Sequence, residues 1–232
     1  LSPGDTVVGC LSIFCGRCER CLGGRPALCL RDPMWGLTRT GNDNPKLYKA
    51  QEPINQFLRL SSFAEMMLVH ENALVKVDPE VPFEQLALIG CGVTTGLGAV
   101  LKTARIEAGS TVAVIGCGGV GLSAIQGARI AGALRIIAID TVGSKLEMAM
   151  AHGATDTISA TAGDVVQNVI EMTNGGVDYS FDALGIKQTA EQSYDMVRAG
   201  GTATIVGLIA EGVKIELDGV GFIDEKRVQG SC

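Results

Sequence analysis

The stretch Thr111-Val112-Ala113-Val114-Ile115-Gly116-Cys117-Gly118-Gly119-Val120-Gly121 decides how this chain folds. Val112, Val114 and Ile115 form a short apolar run rich in β-branched residues, as a buried parallel strand requires. Gly116, Gly118 and Gly121 follow at G-x-G-x-x-G spacing. From Gly119 to Ala131 the residues are mostly small and apolar, which suits a helix lying close on a sheet. Leu134, Ile136, Ile137 and Ile139 then make a second strand, with Asp140 at its end.

Each part of this pattern has a physical job. Gly116 permits a tight turn, Gly118 lets backbone approach a pyrophosphate, and Gly121 lets helix and strand come close. Gly119 and Val120 open the helix, whose free N–H groups and positive dipole end suit phosphate. Asp140 lies nineteen residues after Gly121, where a carboxylate can accept both ribose hydroxyls. It would repel a 2′-phosphate, so the pattern favours NAD over NADP. A bare G-x-G-x-x-G means little in a chain with 31 glycines. Strand before, helix after and acid at the right distance are what give it weight.

The 232 residues have room for one large or two modest domains. Hydrophobic content of 47% against 19% charged excludes a disordered chain, and few aromatics with much Gly, Ala, Val and Ile suits close-packed α/β layers. A net charge of −6 without any basic run argues against nucleic acid or an anionic membrane as partner. No apolar stretch reads as transmembrane in length, and no signal peptide is expected. Of eight cysteines, four crowd into fifteen residues and point to metal. Cys10, Cys91, Cys117 and Cys232 are scattered, so a reducing, cytoplasmic setting is expected. The chain also reads as incomplete, opening at Leu1 in a turn and stopping just after a strand-like run.

Residues 1–80 differ in texture from the rest. Thr6 to Val8 reads as a short strand after a Pro3-Gly4-Asp5 turn. Cys15, Cys18, Cys21 and Cys29 follow in a C-x2-C-x2-C-x7-C pattern. Four thiolates on a loop can wrap one Zn²⁺ tetrahedrally and lock a segment that has little core. A [4Fe–4S] cluster is the chemical rival, but the fourth cysteine does not fit ferredoxin spacing. Arg31 to Gln56 reads as a polar surface excursion with little regular structure. Ser62 to Leu68 and Ala73 to Val77 read as strands. His70 reads as a hydrogen-bonded structural residue. Phe83 to Ile89 starts a helix, Gly90-Cys91-Gly92 interrupts it, and Thr94 to Lys102 resumes it. Read alone, Cys91 is a core cysteine.

Residues 81–232 then alternate strand and helix, the pattern of a doubly wound parallel sheet, a Rossmann fold. Helices are expected over Ser144–Ala151, Val165–Met172 and Gln188–Val197, the last ending at Gly200-Gly201. His152 is expected to cap the first. Strands are expected over Asp156–Ser159, Val177–Phe181, Thr202–Val206 and Arg227–Gly230, six in all with the first two. Val213–Leu217 alternates like an exposed edge strand. Ligands of such sheets lie beyond the carboxyl ends of the strands, so Gly116, Asp140, Leu184, Gly185 and Gly207 should line one crevice.

Four motifs occur in one order: the four-cysteine lobe, Leu88-Ile89-Gly90-Cys91-Gly92-Val93-Thr94-Thr95-Gly96, Gly116-Cys117-Gly118-Gly119-Val120-Gly121, and Gly175-Gly176-Val177-Asp178. Together they resemble the zinc-dependent medium-chain alcohol dehydrogenase family, nearest its alcohol and glutathione-dependent formaldehyde dehydrogenase branch. The resemblance implies that residues 1–80 are part of a GroES-like catalytic domain with a structural zinc lobe. It implies Cys91 as a catalytic zinc ligand, Thr95 and Val206 beside the nicotinamide, and Lys145 beside the adenosine ribose. It implies a small alcohol or aldehyde substrate, and a homodimer joined through the 213–217 strand. The family's other two catalytic ligands and its proton relay would precede Leu1, so no proton-relay residue is assigned. Two function classes are therefore open: an NAD- and zinc-dependent oxidoreductase inactive as residues 1–232 alone, or a non-catalytic NAD-binding module.

Overall fold

The computed structural model describes residues 1–29, 47–54, 60 and 62–231. They form two compact units, Leu1–Cys91 and Gly92–Cys232. The first unit holds β1 (Val7–Gly9), the four-residue helix α1 (Glu19–Leu22), β2 (Leu47–Lys49), β3 (Glu52–Ile54) and β4 (Leu74–Lys76). β1 pairs antiparallel with β4, and β2 with β3. Lys76 closes the first pair with an ion pair to Asp5, Nζ to Oδ1 at 2.6 Å. His70 Nδ1 accepts from the Asn72 N–H at 3.1 Å and so caps a short 3₁₀ turn.

Helix α2 runs unbroken from Phe83 to Ala104. Gly90-Cys91-Gly92 does not interrupt it: the helix widens into a π turn over Ile89–Val93, and again over Ala99–Ala104. The glycines serve close approach instead. A Cβ on Gly90 would meet the Gly9 carbonyl oxygen at 2.2 Å, and one on Gly96 the Val120 carbonyl oxygen at 2.3 Å. By length and composition α2 also qualifies as a membrane span, contrary to the sequence expectation. Gly90 and Gly92 had split that run when it was read as sequence.

The second unit is a parallel sheet of β5 (Thr111–Ile115), β6 (Arg135–Asp140), β7 (Asp156–Ser159), β8 (Val177–Asp182), β9 (Val197–Ile205) and β10 (Arg227–Gly230). The strand order is β10-β9-β8-β5-β6-β7, so chain direction across the sheet reverses between β5 and β8. Helices α3 (Gly119–Ile130), α4 (Gly143–Ala151), α5 (Val165–Thr173) and α6 (Lys187–Asp195) supply the crossovers. The period of two divides the apolar side chains between faces. Val112, Val114, Ile136, Ala138 and Phe181 pack with Ala124, Ile125 and Ala128 on one side. Ala113, Ile115, Ile137, Ile139 and Ile158 pack with Val165, Val169 and Tyr194 on the other. Both faces are covered, which is why these strands are apolar without alternation. His152 Nδ1 lies 2.8 Å from the Met148 carbonyl oxygen at the end of α4, the capping position expected.

Three expected elements differ. Ser62–Leu68 forms no strand; Phe63, Met66 and Leu68 are exposed rather than alternating, and no described strand pairs with them. Helix α6 ends at Asp195, and Gly200-Gly201 lies inside β9, where the ladder with β8 shifts register. Val213–Leu217 is not a strand either. Ile215 and Leu217 turn half inward, but no described strand pairs with the segment, and the sheet ends on β10. A segment without a neighbour has no ladder, whatever its alternation. Most of Arg31–Gln56 lies outside the described residues, as does Cys232; the described part, 47–54, is a hairpin.

Candidate functional site

The carboxyl ends of β5 and β6 meet at the glycine loop. Gly116 has φ +92°, which a side chain would strain. A Cβ on Gly121 would fall 1.7 Å from the Gly116 carbonyl oxygen, so the loop can close only on glycine. Gly118 and Gly119 have the opposite surroundings: exposed, with nothing within 4 Å of an added Cβ. Gly118 is the N-cap of α3 and supplies no side-chain cap, leaving the first N–H groups of the helix to a ligand. A dinucleotide's pyrophosphate fits this cradle on those grounds.

Asp140 ends β6 and is 6% exposed. Its Oδ2 accepts from the Cys117 N–H at 2.8 Å and its Oδ1 from the Val142 N–H at 3.0 Å. Lys145 Nζ stands 3.9 Å from Oδ2. A carboxylate has about four acceptor positions, so two are left for ribose hydroxyls. Cys117 is buried, and burial together with the Asp140 charge pushes its thiol up to about 11. It stays a neutral packing group at physiological pH.

Across the switch point, β8 ends at Asp182 and turns through Ala183-Leu184-Gly185. Leu184 Cγ lies 2.7 Å from where a Gly116 Cβ would stand, so this turn walls the glycine loop. Gly185 and Gly207 cross so closely that a Cβ on Gly207 would meet the Gly185 nitrogen at 2.0 Å. Val206, at the end of β9, is held by its N–H to the Asp182 carbonyl at 2.9 Å. Thr95 sits half-buried on α2, one residue before the Gly96 contact with Val120. The fold thus brings Gly116 to Gly121, Asp140, Lys145, Leu184, Gly185 and Val206 to one end of the sheet. Asp182, one residue past the strand expected over Val177–Phe181, ends β8 with a fully buried carboxylate, a feature that residue spacing does not report.

In the first unit, Cys15, Cys18, Cys21 and Cys29 converge with all four Sγ atoms within 4.8 Å of one another. Cys18 to Cys21 is 3.5 Å, Cys18 to Cys29 3.9 Å and Cys15 to Cys21 4.0 Å. Zn–S bonds of about 2.3 Å in a tetrahedron put sulfurs about 3.8 Å apart, so the donor set fits zinc. The α1 helix sets Cys18 and Cys21 three residues apart on one turn, and a 3₁₀ turn over Pro26–Leu28 delivers Cys29. Asn72 Nδ2 anchors the lobe by donating to the Phe14 carbonyl at 2.6 Å. Burial and the Cys18 thiol push Cys21 up to about 11, so a metal must displace its proton to bind. Cys91 lies exposed on α2, not in the core.

Residues 119–232 match the family model described as zinc-binding dehydrogenase. The chain is 38% identical to an S-(hydroxymethyl)glutathione dehydrogenase from Saccharomyces cerevisiae, over 93% of its own length and 58% of the relative's. The chain belongs to the zinc-dependent medium-chain alcohol dehydrogenase family. Among solved structures of alcohol dehydrogenase type, a zinc-binding domain protein from Burkholderia ambifaria superposes with a TM-score of 0.91 at 38% identity, covering 99% of this chain and 63% of that one. A zinc-binding dehydrogenase from Sinorhizobium meliloti 1021, solved with NADP bound, superposes with a TM-score of 0.80 at 30% identity, covering 100% and 62%. The chain therefore spans about three-fifths of the length of the dehydrogenases it matches.

Proposed function

We propose that the protein carrying these residues is an NAD- and zinc-dependent oxidoreductase of small alcohols or aldehydes. The observation that carries this is the Asp140 carboxylate beside an uncapped helix start, with the Cys117 N–H holding it 2.8 Å from the glycine loop. On this reading Gly116 to Gly121 hold the pyrophosphate, and Asp140 and Lys145 orient the adenosine ribose. Thr95, Leu184, Gly185 and Val206 bound the nicotinamide half. One structural relative holds NADP, so the coenzyme choice rests on the charge of Asp140 and not on the fold.

Cys15, Cys18, Cys21 and Cys29 would hold a structural zinc. Cys91 would give one ligand to a catalytic zinc, whose Lewis acidity supports hydride transfer to the nicotinamide. A catalytic zinc needs three protein ligands, and the family resemblance sets the other two upstream of Leu1. Residues 1–232 alone should then bind coenzyme better than they oxidise any alcohol. A two-fold homodimer is part of the same reading, with Leu208, Val220, Phe222 and Ile223, all exposed here, covered by a second copy.

The test is coenzyme titration of residues 1–232 by NADH fluorescence, together with alcohol oxidation assayed for the chain extended upstream. Binding of NADH, with zinc-dependent turnover that Cys91→Ala abolishes in the longer chain, is the expected result. A chain that binds neither NADH nor NADPH would defeat the reading.

A further inference from the structure

Asp182 is a fully buried carboxylate with no cation to answer it. Its relative exposure is 0%, and no ion pair among the described residues includes it. Its hydrogen-bond partners among the described residues are neutral donors. Thr189 Oγ1 donates to Oδ1 at 2.9 Å, the Leu184 N–H to Oδ1 at 3.1 Å, and the Gly185 N–H to Oδ2 at 3.2 Å. Neutral dipoles can hold a buried charge in place, but they do not cancel it.

The placement of this charge is specific. Asp182 is the last residue of β8, in register with Ile115 of β5 and Ile205 of β9. Its side chain organises the Leu184-Gly185 turn against Gly116. Its main-chain carbonyl accepts from both Val206 and Gly207 at 2.9 Å. One residue therefore anchors both walls assigned above to the nicotinamide half of the crevice.

The nicotinamide ring is cationic when oxidised and neutral when reduced. A fixed negative charge behind its binding wall stabilises the first form relative to the second. We propose that Asp182 is an electrostatic positioning residue that biases the site toward oxidised coenzyme. This rests on the NAD reading of the crevice. The bias is on the order of tenfold in relative affinity, the scale of a buried unit charge acting through an effective dielectric of ~20 rather than that of water.

The experiment compares NAD⁺ and NADH dissociation constants for the wild-type chain and for Asp182→Asn, with thermal melting as a check on folding. The expected result is that Asp182→Asn shifts the affinity ratio about tenfold toward NADH. Equal weakening of both forms would reduce Asp182 to a structural role and overturn the proposal. Thr189→Val supplies a second arm that stands even if Asp182→Asn does not fold. It removes one donor and keeps the charge, so its ratio should hold or move toward NAD⁺; movement toward NADH overturns the proposal. Failure of the wild-type chain to bind either form would instead defeat the NAD reading itself.

Discussion

The Cys117 N–H and the Asp140 carboxylate lie 2.8 Å apart, joining the turn after one strand to the acid that ends the next. The acid and the glycine loop are thus one hydrogen-bonded unit. Asp140→Ser should remove both the charge and the strut. It is expected to narrow the gap between NADH and NADPH affinity by at least tenfold, because repulsion of a 2′-phosphate is relieved. Fluorescence titration with both coenzymes checks this; a wild-type chain with equal affinity for the two would contradict it.

Gly121 and Gly118 separate folding from binding. Gly121→Ala drives a Cβ into the Gly116 carbonyl and should cost about 3 kcal/mol, lowering Tm by about 10 °C. Gly118→Ala meets nothing and should leave Tm within a degree or two while weakening NADH binding. Calorimetry and titration of both variants decide it, and equal melting losses would refute the distinction.

Removal of metal should unlock the four-cysteine lobe without emptying the coenzyme crevice. Cys18→Ala, or a strong chelator, is expected to release one Zn²⁺ per chain and to make residues 15–29 sensitive to protease. NADH affinity should change less than threefold, since the lobe and the crevice lie in separate units. Metal analysis that finds iron with visible absorption would point to a cluster instead.

Arg135 holds Asp156 in a two-pronged pair, Nη2 to Oδ1 at 2.8 Å and Nε to Oδ2 at 2.9 Å. The hydrogen bond from Arg135 lowers the Asp156 carboxyl below the ordinary range. A depressed carboxylate contributes stability above its unfolded value of about 3.9, and loses it as pH falls through the folded value. Asp156→Asn should therefore melt lower than wild type at pH 7, with the difference shrinking below about pH 4. The pair is partly exposed, so the effect at pH 7 should be about 1 kcal/mol. A pH-independent difference would count against this account.

Leu208 and Ile223 are 89% and 83% exposed, and they flank in sequence a segment, 213–217, that no described strand pairs. Such a surface is costly to leave in water. Sedimentation of the upstream-extended chain should show a dimer at micromolar concentration. Leu208→Lys with Ile223→Lys should shift it to monomer; a wild-type monomer would refute the pairing.

The glycine loop, the β5–β6 pair and the cysteine lobe were legible in the sequence because local chemistry dictates each of them. A turn that only glycine can make, and four thiols at metal spacing, need no knowledge of what lies elsewhere. The 90–92 helix break and the 213–217 strand were misread for the opposite reason. Glycine predicts a weak helix, yet close approach is what Gly90 gives α2, its missing Cβ leaving room for the Gly9 carbonyl. Alternation predicts a strand, yet a ladder requires a neighbour.

By itself the sequence determined the parallel α/β core, the glycine loop with the acid that ends the next strand, and the cluster of four thiols. Only the tertiary structure decided that Asp182 is buried among neutral donors, that Leu184 walls Gly116, and that β10 ends the sheet. Residue spacing reports what one segment can do. Burial, and the charge balance that follows from it, is set by residues distant in the chain that the fold brings together.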